Sequence, residues 1–184
     1  MRADFRVVLD ACVLANFGVA NLLLLLAEKP RLYLPVWSEE ILAETQTTQQ
    51  KHLRWPPELA ETFGSEMRRV FPESLTAGFA HLLSHCTNDE KDRHVLACAI
   101  QSKAEIILTF NLRHFPEAAL KRWGVQALHP QDYLLTLFAL EPLHVMHQLG
   151  GIAEKRGCTL EDHLIDLGKF LPQFSARLLD ELES

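Results

Sequence analysis

The chain has 184 residues, 48% of them hydrophobic and 23% charged, with a net charge of −6 and a mean hydropathy near zero. These values fit one globular domain with room for a short appendage, and they exclude a disordered or membrane-embedded chain. An acidic balance lends nucleic-acid binding no support, yet does not exclude it where several acids gather on one metal site. The longest apolar run, Val19 to Ala27, is far short of the ~20 residues a spanning helix needs. It also lies too deep, behind Asp4 and Asp10, to read as a secretory signal. Cys12, Cys86, Cys98 and Cys158 form no CxxC pair and no zinc spacing. The expectation is a reduced, cytoplasmic protein with buried thiols and no membrane association.

In chain order, Phe5 to Asp10 is a short apolar run ending in an acid, which predicts a buried parallel strand. Ala11 to about Glu28 predicts a helix broken near Gly18, and Lys29-Pro30 ends it. The Leu22 to Leu26 stretch reads as core or as a dimer interface. Leu32 to Val36 is a second strand. Ser38 has the character of a helix N-cap, with Glu39 and Glu40 in the first turn of a helix reaching Lys51. Trp55-Pro56-Pro57 breaks the chain before a helix from Glu58 to Val70, and a further helical piece is expected over 75–84. Asn88 to Asp92 opens a helix with Val95, Leu96, Ala99 and Ile100 as its apolar face. Glu105 to Phe110 is the best strand, ending at Asn111. Phe115-Pro116 starts a short helix, Val125 to Leu128 is a last strand, and Tyr133 to Leu140 is helical. Alternating strands and helices of these lengths predict an α/β fold, a three-layer αβα sandwich with a mostly parallel sheet. Glu141-Pro142 divides a main domain, 1–140, from a small helical extension, 141–184, with breaks at Gly150-Gly151 and Gly157.

Ligands of open α/β sheets sit beyond the carboxyl ends of the strands. Asp10 and Asn111 each end a strong strand, Asp92 stands in the first turn of the helix before the second of them, and Glu44 lies on the helix after Ser38. These residues can converge at one edge. Two carboxylates ~5 Å apart repel by roughly 3 kcal/mol at an effective dielectric of ~20. Three carboxylates in one pocket therefore call for protons or divalent cations. Oxygen ligands suit Mg²⁺ or Mn²⁺ rather than zinc, and a carboxylate-held Mg²⁺ points to phosphoryl chemistry. Asp10 and Asp92 also read as helix-terminal acids, Glu40 competes with Glu44, Asp89 reads equally as an outer acid or a cap, and Asn111 as a turn residue. His81 with His85, and His144 with His147, have helical spacing but no third ligand in view. Cys12 and Cys98 sit on apolar faces and read as core.

Four motifs carry a resemblance: Val7-Val8-Leu9-Asp10, Ser38 to Glu44, Asp89 to Ala97, and Ile107 to Pro116. In this order and spacing they resemble the PIN domain, most closely the branch of VapC-type toxins of bacterial toxin–antitoxin pairs. The resemblance covers residues 5 to about 140, and the tail is similar to the helical extension some members carry. It implies a Mg²⁺- or Mn²⁺-dependent endoribonuclease, usually a homodimer and often silenced by an antitoxin. Its acids map onto Asp10, Glu44 and Asp92, and a fourth position, often Asp, is Asn111 here. An amide can ligate a metal or position water but brings no charge. Thr109 reads as a hydrogen-bonding neighbour within the site. Arg93, Arg113, His94 and His114 stand near the same edge, where Arg93 and Arg113 can meet RNA phosphates or form a solvated face. The other readings are weaker. A receiver module needs a Lys after the strand that ends at Asn111, and a haloacid-dehalogenase-type phosphatase needs Asp-x-Asp where Asp10-Ala11-Cys12 stands. A catalytically silent RNA- or protein-binding domain is the remaining alternative, kept open by Asn111.

Overall fold

The computed structural model describes residues 5–183. At its centre four parallel strands, β1 (Arg6–Leu9), β2 (Leu34–Val36), β3 (Ile106–Leu108) and β4 (Gln126–Leu128), lie in the order β2-β1-β3-β4. Val7, Val8, Leu9, Ile107 and Leu108 are fully buried, as strands covered on both faces must be. The helices are α1 (Ala11–Ala15), α2 (Phe17–Ala27), α3 (Glu39–Lys51), α4 (Pro57–Val70), α5 (Arg93–Ser102), α6 (Glu117–Leu120), α7 (Pro130–Leu140), α8 (Pro142–Arg156), α9 (Leu160–Leu167) and α10 (Pro172–Glu183). The architecture is the αβα sandwich with added C-terminal helices that the alternation of elements predicts. No described helix is long and apolar enough to cross a membrane.

The structure corrects several local expectations. The first helix breaks at Asn16, not Gly18. Asn16 closes α1, and its Oδ1 accepts the Val19 N–H at 3.3 Å to start α2. One side chain thus serves two helix ends, and Gly18 lies inside α2. The piece expected to be helical over 75–84 divides: Leu75 bridges to Trp37 in parallel, Gly78 turns the chain at φ +81°, and a 3-10 helix covers Ala80–His85. A 3-10 turn, Glu90–Asp92, precedes α5. Gly150 and Gly151 do not break α8, which runs on to Gly157 at φ +67°.

α8 packs on α2 and α7, and α10 packs on α7 and α9. Val145, Leu149, Leu164, Leu171, Phe174 and Leu178 are fully buried and share one apolar core with the strands. Thr159 and Asp162 form a reciprocal cap at the start of α9. Within these helices, Arg156 Nη1 donates to His163 Nδ1 at 2.7 Å, so the ring is neutral with its proton on Nε2. Burial and then the Arg156 charge hold its pKa below the usual 6.5. As the pH falls, the unfolded chain takes up this proton first, so stability is lost below about pH 6.5. The expected result is a urea midpoint that drops between pH 7 and pH 5.5 in the wild type and drops less in His163→Gln.

Candidate active site

β1 and β3 pair with Leu9 opposite Leu108. The next residue on each strand, Asp10 and Thr109, therefore emerges side by side at the carboxyl edge of the sheet. Thr109 Oγ1 donates to Asp10 Oδ2 at 2.7 Å, and the Cys12 thiol donates to the same oxygen at 3.1 Å. Asp10 Oδ1 accepts the Ala11 N–H at 2.7 Å and so caps α1. Behind this pair, the Asn111 N–H donates to Thr109 Oγ1 at 3.0 Å and the Phe110 N–H to Cys12 Sγ at 3.4 Å. The hydroxyl and the thiol each accept a backbone N–H, which turns their own hydrogens toward Asp10. Asp10 is buried, with 3% of its surface exposed, and its orientation is fixed on both oxygens.

Cys12 is half-buried in this network rather than part of the apolar core, as its helical position suggests. Burial first, and then the Asp10 charge, push its thiol up to about 12. It therefore remains a hydrogen-bond donor rather than a thiolate at neutral pH. Cys98 is buried in the core as expected.

A cleft of about 310 Å³ opens beside Asp10, and Cys12, Glu44, Thr47, Thr48, Asp92 and Asn111 line it. The structure thus brings together all four residues singled out at the strand ends and helix starts. Glu44 and Thr48, one turn apart on α3, share a face of that helix. The buried positions of the helix, Ile41, Leu42, Thr45 and Gln49, lie on another face. Asp92 stands where the 3-10 turn meets α5. None of the residues lining the cleft is Lys or Arg.

Two imidazoles back the acids. His114 Nδ1 lies 2.7 Å from Asp92 Oδ2, while Arg113 Nε donates to His114 Nε2 at 3.2 Å. The second bond leaves the ring hydrogen on Nδ1, so His114 donates to Asp92. His94 Nε2 lies 3.1 Å from Glu44 Oε1. Burial lowers the His94 pKa, but Glu44, Asp10 and Asp92 outweigh it and raise it above 6.5. Sequence reading set both rings near this edge, open to RNA phosphates or to solvent, and did not foresee their pairing with the acids. The signal available for His114 was its position three residues past Asn111, which the 3-10 turn Leu112–His114 swings back onto Asp92.

The Asp92 carboxyl is held above its usual value by burial, with the His114 bond opposing and the Asp10 charge adding. Ionised Asp92 therefore costs the metal-free fold stability as pH rises through this raised pKa. The expected result is a Tm a few degrees higher for metal-free Asp92→Asn at pH 7 than for the wild type. The gain should vanish near pH 3, where both forms are neutral.

Arg113 reaches the site through His114, whereas Arg93 lines a neighbouring depression with Leu83, Ser84, Glu90 and His94. Among the described residues, only Asp89, Asp92 and His114 place three ligand atoms within 4.8 Å of one another. Neither of the pairs His81/His85 and His144/His147 belongs to such a group. Asp89 caps the 3-10 turn through the Lys91 N–H at 3.1 Å.

Residues 4–113 match the PIN domain family. Over 128 residues, 66% of this chain and 75% of the relative, the sequence is 39% identical to a Mycobacterium tuberculosis protein named "Putative ribonuclease VapC50". No solved structure matches the chain.

Proposed function

The chain belongs to the PIN-domain family, and from that membership and its acid cleft we propose that it is a Mg²⁺- or Mn²⁺-dependent endoribonuclease, the toxin of a bacterial toxin–antitoxin pair. One observation carries the reading: three carboxylates, Asp10, Glu44 and Asp92, line one cleft on which no Lys or Arg stands among the described residues. Burial first, and then the Asp10 charge, raise the Asp92 pKa against the His114 bond, and a cation between the two acids would offset that repulsion. The donor set fits a hard divalent cation. Asp10, Glu44 and Asp92 are the residues that would hold it, and Asn111 adds a neutral amide. Such a cation lowers the pKa of a bound water and offsets charge on a phosphodiester transition state.

The protein's own part is orientation. Thr109 and Cys12 occupy Asp10 Oδ2, which leaves Oδ1, shared only with the Ala11 N–H, for a ligand. His114 holds Asp92 through Oδ2. Such outer partners are what keep ligating side chains in place. Arg113, at the far end of His114, supplies positive charge at the margin for RNA phosphates, and Arg93 does so from the adjoining depression. The nuclease is assigned to residues 1–140, with 141–184 as its helical extension. A cognate antitoxin, a homodimer and a cytoplasmic setting complete the proposal.

The test is incubation of a mixed pool of structured RNAs with Mg²⁺, with Mn²⁺ and with EDTA. Cleavage with either cation and none with EDTA is expected. Cleavage that persists in EDTA would overturn the metal role, and binding of RNA without cleavage under any condition would favour a silent binding domain.

A further inference from the structure

A groove of about 620 Å³ lies between the start of α2 and the helices α8 and α9. It is distinct from the acid cleft, but the two are lined from one short stretch of chain, α1 and its junction with α2. Cys12 lines the cleft and Asn16 lines the groove. Asn16 is the residue that closes α1, four positions after Cys12 and about 6 Å along the chain by helical rise.

The groove combines three features. Two aromatic rings, Phe17 and Phe170, stand at its wall half-exposed, at 53% and 50%. Lys155, Arg156 and Lys169 bring positive charge to a chain that is acidic as a whole. The one acid among its lining residues, Asp166, is neutralised by Arg156 at 2.7 Å and Lys169 at 3.0 Å. Finally, His163 lines the groove while only 2% exposed, and its protonated Nε2 has no hydrogen-bond partner. A buried N–H left unpaired is costly and asks for an acceptor.

We propose that this groove is a binding track for single-stranded RNA next to the cleavage site. Bases stack on Phe17 and Phe170, and phosphates meet Lys155 and Lys169. Exposed rings beside a cationic groove are the general means of holding single strands. The inference rests on the ribonuclease reading and adds where the substrate runs. An acidic amphipathic protein segment would satisfy the cations but gives no reason for the groove to adjoin the cleft.

The test measures anisotropy of a fluorescein-labelled single-stranded 12-mer RNA with the full chain in EDTA, alongside cleavage of the same RNA with Mn²⁺. Phe170→Ala and the double change Lys155→Glu with Lys169→Glu are each expected to weaken binding about tenfold. Phe170→Trp should restore it and Phe170→Leu should not, since stacking needs a ring. All three positions are exposed, and equal thermal melts of all variants exclude misfolding. If the wild type cuts RNA while its affinity is unchanged in both variants, the track is overturned and the nuclease stands. Loss of binding that Leu restores as well as Trp also overturns it. A wild type that neither binds nor cuts RNA overturns both readings.

Discussion

Asp10→Asn is expected to lower metal-dependent RNA cleavage by about 10²-fold or more while the fold survives. Three donors converge on the two oxygens of Asp10: Thr109 Oγ1, Cys12 Sγ and the Ala11 N–H. An amide has one oxygen for them. If that oxygen faces Thr109 and Cys12, the NH₂ faces the Ala11 N–H, and the reverse placement sets it against the hydroxyl and the thiol. One unsatisfied contact costs about 1–3 kcal/mol. Removing a charge that repels Asp92 offsets part of that. The variant should therefore fold with a somewhat lower Tm and lose both negative charge and ligand orientation. Wild type, Asp10→Asn and Asp92→Asn, purified identically, should be compared in one cleavage assay. Undiminished cutting by both variants would place the chemistry elsewhere.

Phe174→Ala should destabilise the whole molecule by about 3–5 kcal/mol. Phe174 is fully buried in α10 and belongs to the same apolar core as the strands. α10 rests on α7, and α8 on α2, so the cavity left by the ring opens inside a shared interior. A urea titration followed by far-UV and near-UV signals should give one transition, moved to lower urea with its slope unchanged. Two separate transitions, with only the first moved, would mean that residues 141–184 unfold as an independent unit.

The sequence by itself determined the layer order, and with the family resemblance it singled out Asp10, Glu44 and Asp92, which the fold lines up along one cleft. Short apolar runs ending in Asp10 and Asn111 can be satisfied only by strands buried on both faces, and strand ends in such a sheet meet at one edge. Ser38 before Glu39 and Glu40 marked the start of α3, because a hydroxyl cap and first-turn acids answer the same unpaired N–H groups that the helix leaves. These are local signals, or signals of period. What only the tertiary structure decided depends on contacts between residues far apart in the chain. Cys12 looked like core because its neighbours Val13 and Leu14 are core. The β1–β3 register, which puts Thr109 beside Asp10, draws it into the cleft. His114 and His94 became partners of Asp92 and Glu44 through a 3-10 turn and through a contact from α5 across to α3, neither of which periodicity encodes. Arg93, one residue past Asp92, faces another depression because successive helical residues diverge by about 100°. The groove under Phe17 and Phe170 joins residues about 150 positions apart, and no reading of either segment alone could have found it.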